Sequence, residues 1–491
     1  MSDDRRRPPR RPPAQGRSPG ARPPVARTRA STTRVIPGDA PVVELRVDAI
    51  AAGGDGVGRH EGLVVFVPRT APGDVARVAV VPHGRMARGA LASLVTPSAD
   101  RVEPPCPHYV VDHCGGCQLQ HLSAPAQRAA KRRIVTDALH RIGGRTLTDG
   151  TAAFEVSEVA PSPHAWRYRR KLTLALRRRA GAWTAGLHPF DAPGRIFALQ
   201  DCPITDARVV AAWRAVLAAA AFLPGEEDAL RGAVRLLDGS DASEATDTPW
   251  AFVLEGARRW TSWEPFADAV ERASPGFAAL WWRRDVPAGA PRAEPRLLLD
   301  RRGDRAPGAA FVQVNPGVAA ALHARVVERA LAHAPGAVVD AYAGAGDTAA
   351  ALAAAGVRVT AIELDRAAAH HAAERLPEGS RAVAGFVERH LAEALPADVI
   401  LLNPPRGGLH DAVPPILERA LGGAFGAPPR ALLYVSCNPA TLARDLARLP
   451  SWQVSAVEPF DMFPQTAHVE TLVELVPRDG PPVSDPQEPD A

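Results

Sequence analysis

From about residue 310 to residue 476 the chain alternates strand-like and helix-like runs, and no other feature restricts its fold as much. GAVVDAYAGAGD reads as a strand entering a glycine turn, TAAALAAAG as a helix and VRVTAIELD as a second strand. The helix RAAAHHAAERL, the strands DVILLNPPR and ALLYVSCN and a last hairpin around VELV complete the run. This order predicts a Rossmann-like, doubly wound α/β sheet, whose ligands bind in the crevice at the carboxyl ends of the strands. Asp340-Ala-Tyr-Ala-Gly344-Ala-Gly346-Asp347 falls at such an end, where glycines let the backbone approach a ligand. Glu363 ends the next strand and could accept both hydroxyls of a ribose. The third glycine of a dinucleotide fingerprint is replaced by Ala349. The pattern therefore suits a nucleoside cofactor without a pyrophosphate, such as S-adenosylmethionine.

The preceding segments read differently. Residues 1–39 are Arg- and Pro-rich with little to bury, and a disordered tail is expected; 478–491 are expected to be a second, acidic one. No apolar run follows the basic start, so neither signal peptide nor membrane anchor is expected, and the protein is taken as cytoplasmic and monomeric. The net charge of +4 is misleading: residues 1–40 hold ten Arg against three Asp, a local +7, which leaves −3 elsewhere. From Val42 to Val95, short alternating segments with Gly-rich turns predict a small β-barrel over 40–98, of the kind that binds single-stranded nucleic acid or serves only for packing. A central region, 99–300, has a helix over 125–142 with a basic face (Arg128, Lys131, Arg132, Arg133). It continues into WRYRRKLTLALRRRAGAW, where aromatics interleaved with Arg suit RNA, or mark a solvated strand edge. Asp238–Thr248 reads as an exposed loop. The final unit is expected to span 301–477.

Five cysteines serve this whole length. Cys106, Cys114 and Cys117 form C-x7-C-G-G-C, Cys202 stands alone in LQDCPI, and Cys437 lies in YVSCNPATL. Four thiols are the usual complement of one iron–sulfur cluster or one zinc. The fifth, at a strand end before a helix whose dipole favours a thiolate, reads as a nucleophile. Asn403-Pro404-Pro405-Arg406 makes a rigid turn after DVILL, with Asn403 directed into the crevice. Glu470, after FPQTAHV, could act as a general base or pair with Arg.

Together these segments resemble the S-adenosylmethionine-dependent RNA uracil-5-methyltransferases. The motifs are C-G-G-C-Q-L-Q-H (Cys114–His121), F-V-Q-V-N (Phe311–Asn315), D-A-Y-A-G-A-G, N-P-P-R, S-C-N-P-A-T-L and F-P-Q-T-A-H-V-E, in family order over residues 42–476. The resemblance implies a TRAM barrel of the oligonucleotide-binding type, a central iron–sulfur α+β domain and a methyltransferase domain. It makes Cys437 the nucleophile and Glu470 the base, and puts Gln313, Tyr342, Glu363 and Asn403 on cofactor positions. Cys106, Cys114, Cys117 and Cys202 fall on the ligands of a [4Fe-4S] cluster. Members with both barrel and cluster include enzymes of 23S ribosomal RNA; transfer RNA is the alternative target, and an inactive RNA-binding module the non-enzymatic one. Many members have Asp in place of Asn403, and five residues rather than seven before the second cysteine.

Overall fold

The structure, a computed structural model, describes residues 39–143, 154–237, 248–286, 290, 293–301 and 313–478. Both tails and nearly all of Asp238–Thr248 lie outside the described residues.

Five strands with period-two burial open the described chain: β1 (Val42–Ile50), β2 (Gly56–His60), β3 (Leu63–Val67), β4 (Val75–His83) and β5 (Met86–Thr96). They close into a barrel in the order β1-β2-β3-β5-β4, which leaves no free sheet edge. Leu45, Val65, Val67, Ala76, Val78, Val80 and Ala87 fill its interior. The β1–β2 turn is pressed against the cysteine segment. Gly54 has φ +91°, and a Cβ there would lie 2.4 Å from Gln118 Cβ, so the turn requires glycine.

After the barrel come a single helical turn, α1 (Pro107–Val110), and the long helix α2 (Ala124–Ile142), capped by Ser123. The central sheet follows. Its strands are β6 (Lys171–Arg179), β7 (Ala182–Leu187), β8 (Phe197–Ala198), β9 (Ala229–Leu236), β10 (Trp250–Glu255), β11 (Phe277–Arg283) and β12 (Arg296–Asp300). They are ordered β12-β11-β10-β9-β6-β7-β8, and only β10 and β11 run parallel. Alternation turns Leu172, Leu174, Val234, Phe252 and Leu280 to one face, where α3 (Ala207–Ala218) and α4 (Trp263–Ala273) cover them with Trp213 and Phe266. Cys106, Cys117 and Cys202 belong to the same core.

The last sheet is ordered β15-β14-β13-β16-β17-β19-β18. Its members are β13 (Ala337–Ala341), β14 (Arg358–Glu363), β15 (Arg381–Ala384), β16 (Val399–Leu402), β17 (Ala431–Ser436), β18 (Trp452–Phe460) and β19 (Glu470–Pro477). The first five in that order are parallel, and β19 runs antiparallel to both neighbours. Every residue of β16 and β17 is buried, the pattern of strands covered on both faces. The connecting helices are α5 (Pro316–Ala332), α6 (Asp347–Ala354), α7 (Arg366–Arg375), α8 (Val387–His390), α9 (Val413–Leu421) and α10 (Pro439–Leu446).

Helix α2, grouped in sequence with the cysteines, packs on this last sheet: Val135 and Leu139 join the core of Leu442, Leu446 and Val457. Its expected basic face is corrected by the structure. Lys131 is fully buried, and its ammonium donates to Asp461 Oδ1 at 2.5 Å and to Phe463 O at 2.9 Å. Arg132 and Arg133 are engaged by Glu155, Glu158 and Asp48 O. Breaking a buried pair leaves the partner charge uncompensated. Lys131→Met is therefore expected to lower stability by about 3–5 kcal/mol, measured by denaturant unfolding.

Candidate active site

Sheet topology assembles the site. Parallel strands deliver the residues after β13, β14, β16 and β17 to one edge, and the antiparallel β19 begins at that same edge. Ser436 pairs with Thr471, so Cys437, one residue past the end of β17, faces Glu470, the first residue of β19. Burial pushes the half-buried Cys437 thiol above its usual range, Glu470 pushes it further, and Arg406 opposes both by its charge and by donating to the sulfur. Glu470 is 4% exposed. Its Oε1 accepts from Gln313 Nε2 at 3.4 Å, and its Oε2 is buried with no hydrogen-bond partner among the described residues. Burial raises this carboxyl to about 7, against the opposing effects of Gln313 and Arg406. A carboxyl that titrates near neutrality beside an enclosed thiol is suited to proton transfer.

The remaining crevice residues lie along the same edge. Glu363 binds the glycine turn directly: Gly344 N–H donates to Oε2 and Asp365 N–H to Oε1, each at 2.8 Å. Tyr342 takes a positive φ of +65°, and its hydroxyl accepts from the His410 backbone. The side chain of Asn403 is exposed beyond β16, while its N–H donates to Ala341 O at 3.3 Å. The arrangement thus brings Gln313, Cys437 and Glu470 together, with Tyr342, Glu363 and Asn403 spread along the neighbouring strand ends.

Three residues without an assigned role in the sequence reading also shape the site. Arg406 closes N-P-P-R and acts on both Cys437 and Glu470; a cation directly after the doubled proline was the available signal. Asp340, buried in β13, carries a carboxyl that burial raises to about 7, with Oδ2 unpartnered among the described residues. An acid at the end of an otherwise apolar strand marked it. Asp445 had no local signal. It accepts from Leu409 N at 2.7 Å and Tyr434 Oη at 2.8 Å, which fastens the turn after Arg406 to the helix that follows Cys437. Gly408, with φ +78°, fits beneath it; a Cβ there would meet Asp445 Oδ2.

The other four cysteines are buried free thiols that act electrostatically on one another. Burial raises Cys114 to about 11 and Cys117 to about 12. Gly116 N–H donates to Cys114 Sγ at 3.4 Å, and the Gln120 side chain bonds Cys117. Arg69 lies 3.2 Å from the Tyr109 ring centroid and donates to Tyr109 O and Cys114 O. Arg167, in the stretch that suits RNA or marks a solvated strand edge, is exposed; it grips Asp201 with two bonds and also donates to Cys202 O. Among the described residues, no three His, Cys, Asp or Glu side chains are arranged to hold a metal ion.

This cysteine segment holds the loop that ends in Glu470. Gln118 and Leu119 N–H donate to Gln465 O, and Tyr168 Oη donates to Pro464 O. Gln127 and Gln465 are bonded reciprocally, with both distances 2.9 Å. Gln127→Ala would leave buried groups of Gln465 unmet, each costing about 1–3 kcal/mol. We expect lower stability by denaturant unfolding together with slower methyl transfer.

The fold and crevice define an S-adenosylmethionine-dependent methyltransferase that carries an N-terminal TRAM barrel. A family model for the TRAM domain matches residues 41–81, and one for tRNA (uracil-5-)-methyltransferase matches residues 379–478. An uncharacterized RNA methyltransferase of Thermosynechococcus vestitus is 35% identical over 457 residues, covering 88% of this chain and 97% of that protein. Another, of Gloeobacter violaceus, is 33% identical with 88% and 96% coverage. The chain belongs to the RNA uracil-5-methyltransferase family. The solved structure of the Pyrococcus abyssi tRNA (uracil-54, C5)-methyltransferase in complex with S-adenosyl-L-homocysteine shares the fold, with a TM-score of 0.56 at 21% identity, over 88% of this chain and 100% of that one. Among the described residues, no helix is long and apolar enough to cross a membrane.

Proposed function

We propose that this enzyme methylates C5 of a uridine in 23S ribosomal RNA through a transient bond between Cys437 Sγ and C6. The observation that carries the reading is the register that sets Cys437 opposite Glu470, beside Arg406. C5 of uracil is a weak nucleophile. After the Cys437 proton has left, addition of the thiolate to C6 moves the electron pair of the C5–C6 double bond into an enolate, and C5 becomes reactive. Bound S-adenosylmethionine supplies an electrophilic methyl group for C5, and Gln313, Tyr342, Glu363 and Asn403 are the residues to hold it. Glu470 then removes the C5 proton, the C5–C6 double bond re-forms, and the thiolate leaves C6. The unpartnered Glu470 Oε2 suits that proton. The base must be reached from both faces, which requires a flipped or single-stranded nucleotide.

Cys106, Cys114, Cys117 and Cys202 are assigned to a [4Fe-4S] cluster. Four buried free thiols, three of them with hydrogen-bond donors at sulfur, match its ligand chemistry. A bound cluster would fasten Cys202 to the segment that supports the Glu470 loop. The visible absorption of anaerobically purified protein tests this assignment, and a colourless, zinc-loaded protein would replace it.

The co-occurrence of barrel and four cysteines in family members that act on 23S ribosomal RNA supports that target. The matched family description and the Pyrococcus abyssi enzyme favour a second reading, a transfer RNA uridine. Mapping 5-methyluridine in total RNA with and without the gene decides between them. A 23S position that loses its methyl group supports the first reading, a transfer RNA position the second, and an unchanged map overturns both.

A further inference from the structure

The central sheet has a charged face that the proposed chemistry leaves unused. Alternation sends Leu172, Leu174, Val234 and Phe252 to its core and therefore turns the intervening residues the other way. Lys171 and Thr173 of β6, Arg231 of β9, Glu255 of β10 and Arg283 of β11 line one cleft on that opposite face. Its floor is made of small or short side chains, Ala233 and Val253, so the long cationic side chains rise above it.

The pairing register makes this charge distribution costly. Lys171 stands directly across from Arg235, and like charges in that relation destabilise a sheet. Among the described residues Glu255 is the only acid lining the cleft, and it lies across from both Arg231 and Arg283. It accepts from Arg283 Nη1 at 2.6 Å. The Lys171 ammonium and the Arg231 guanidinium make no hydrogen bond or ion pair among the described residues. Burial and the nearby Arg235 and Arg231 lower the Lys171 pKa, with Glu255 opposing. A protein with only two lysines has thus placed one of them, half-buried, among like charges.

Backbone bonding also links one end of the cleft to the reaction centre. Arg170, immediately before Lys171, donates its N–H to Val314 O at 3.0 Å. Val314 follows Gln313, the hydrogen-bond partner of Glu470.

We propose that this cleft binds the sugar–phosphate backbone beside the target uridine, with Lys171 and Arg231 each neutralising one phosphate. The inference rests on the RNA-methylating reading and adds a positioning site to it. Charge complementarity selects the occupant: the Lys and Arg heads present only donors and the Thr hydroxyl can donate as well, which fits phosphate oxygens, and such contacts carry no sequence information.

The test uses the full chain, a labelled single-stranded oligouridylate, and Lys171→Gln and Arg231→Gln singly and together. Each neutralised phosphate contributes about 0.7 to the slope of log affinity against log salt for single strands, so the double variant should lose about 1.4 of that slope. Binding at low salt should weaken about tenfold or more. Arg231 is exposed, so its variant should fold even if Lys171→Gln does not, and calorimetric binding of S-adenosylhomocysteine reports folding in each case. A wild-type slope in variants that bind S-adenosylhomocysteine normally would overturn the cleft. An equal loss of binding to polyglutamate would assign it to acidic protein and overturn the RNA occupant. If the slope falls as expected but the wild type forms no 5-methyluridine in any RNA, the cleft stands and only the uridine reading fails.

Discussion

Replacing Cys437 by alanine is expected to abolish 5-methyluridine formation, by about 10⁴-fold or more, while S-adenosylhomocysteine still binds with wild-type affinity. The size of the loss follows from the substrate. Without a thiolate on C6, C5 has no enolate to draw on, and the rest of the site can only hold the reactants together. The separation of the two readouts follows from topology. Cys437 lies past β17, whereas Tyr342 and Glu363 lie past β13 and β14, on the far side of β16 in the sheet order. Cys437 is half-buried and, among the described residues, its thiol donates no bond that orders a neighbour; Asn438 caps the following helix independently, through Ala440 and Thr441 N–H. Mass spectrometry of digested RNA and calorimetry of the cofactor product are the two measurements. Turnover retained by Cys437→Ala would end the covalent route.

Much of this site was legible because chemistry and periodicity coincide at strand ends. In a parallel sheet, any residue just past a strand shares an edge with its counterparts, so Tyr342, Glu363, Asn403 and Cys437 could be grouped before their distances were known. The barrel was equally legible, since period-two alternation over 42–96 leaves few other ways to bury Leu45, Val65 and Val78. Lys131 shows where this reasoning stops. On a helix rich in Ala and Arg, spacing does not say which stripe meets a partner, and its partner Asp461 is 330 positions away. Arg167 is similar: the aromatics and Arg around it gave no sign of its bidentate bond to Asp201, 34 positions away, although the residue stays exposed. The clustering of Lys171 with Arg231 emerges only from strand register, because their strands are separated by the helix over Ala207–Ala218. Asp445 acts through a turn brought to it by the fold, and no local pattern announces such a contact.

Glu470→Gln is expected to trap the methylated RNA on the protein. With the amide in place the C5 proton has no acceptor, so the thiolate cannot be eliminated from C6, and a protein–RNA species should persist on denaturing gels. Formation of the adduct should not be slowed at the thiol, because Glu470 raises the Cys437 pKa and its neutral replacement removes that effect. The pH dependence has a definite sign. Burial raises Glu470 to about 7, so the base is protonated, and inactive, below that value. Where removal of the C5 proton limits turnover, wild-type kcat should therefore fall on the acid side of neutrality, by about tenfold per pH unit well below 7, the slope of a single required deprotonation. On the alkaline side a second rise should follow as Cys437, held above its ordinary range, ionises. In Glu470→Gln the rate of adduct formation, a step that precedes any use of Glu470, should show no limb near 7 and only the thiol limb, moved to lower pH. Persistence of the limb near 7 in that variant, or failure to find the adduct, would assign the proton to another group, and the buried carboxyl of Asp340 would be the next to replace.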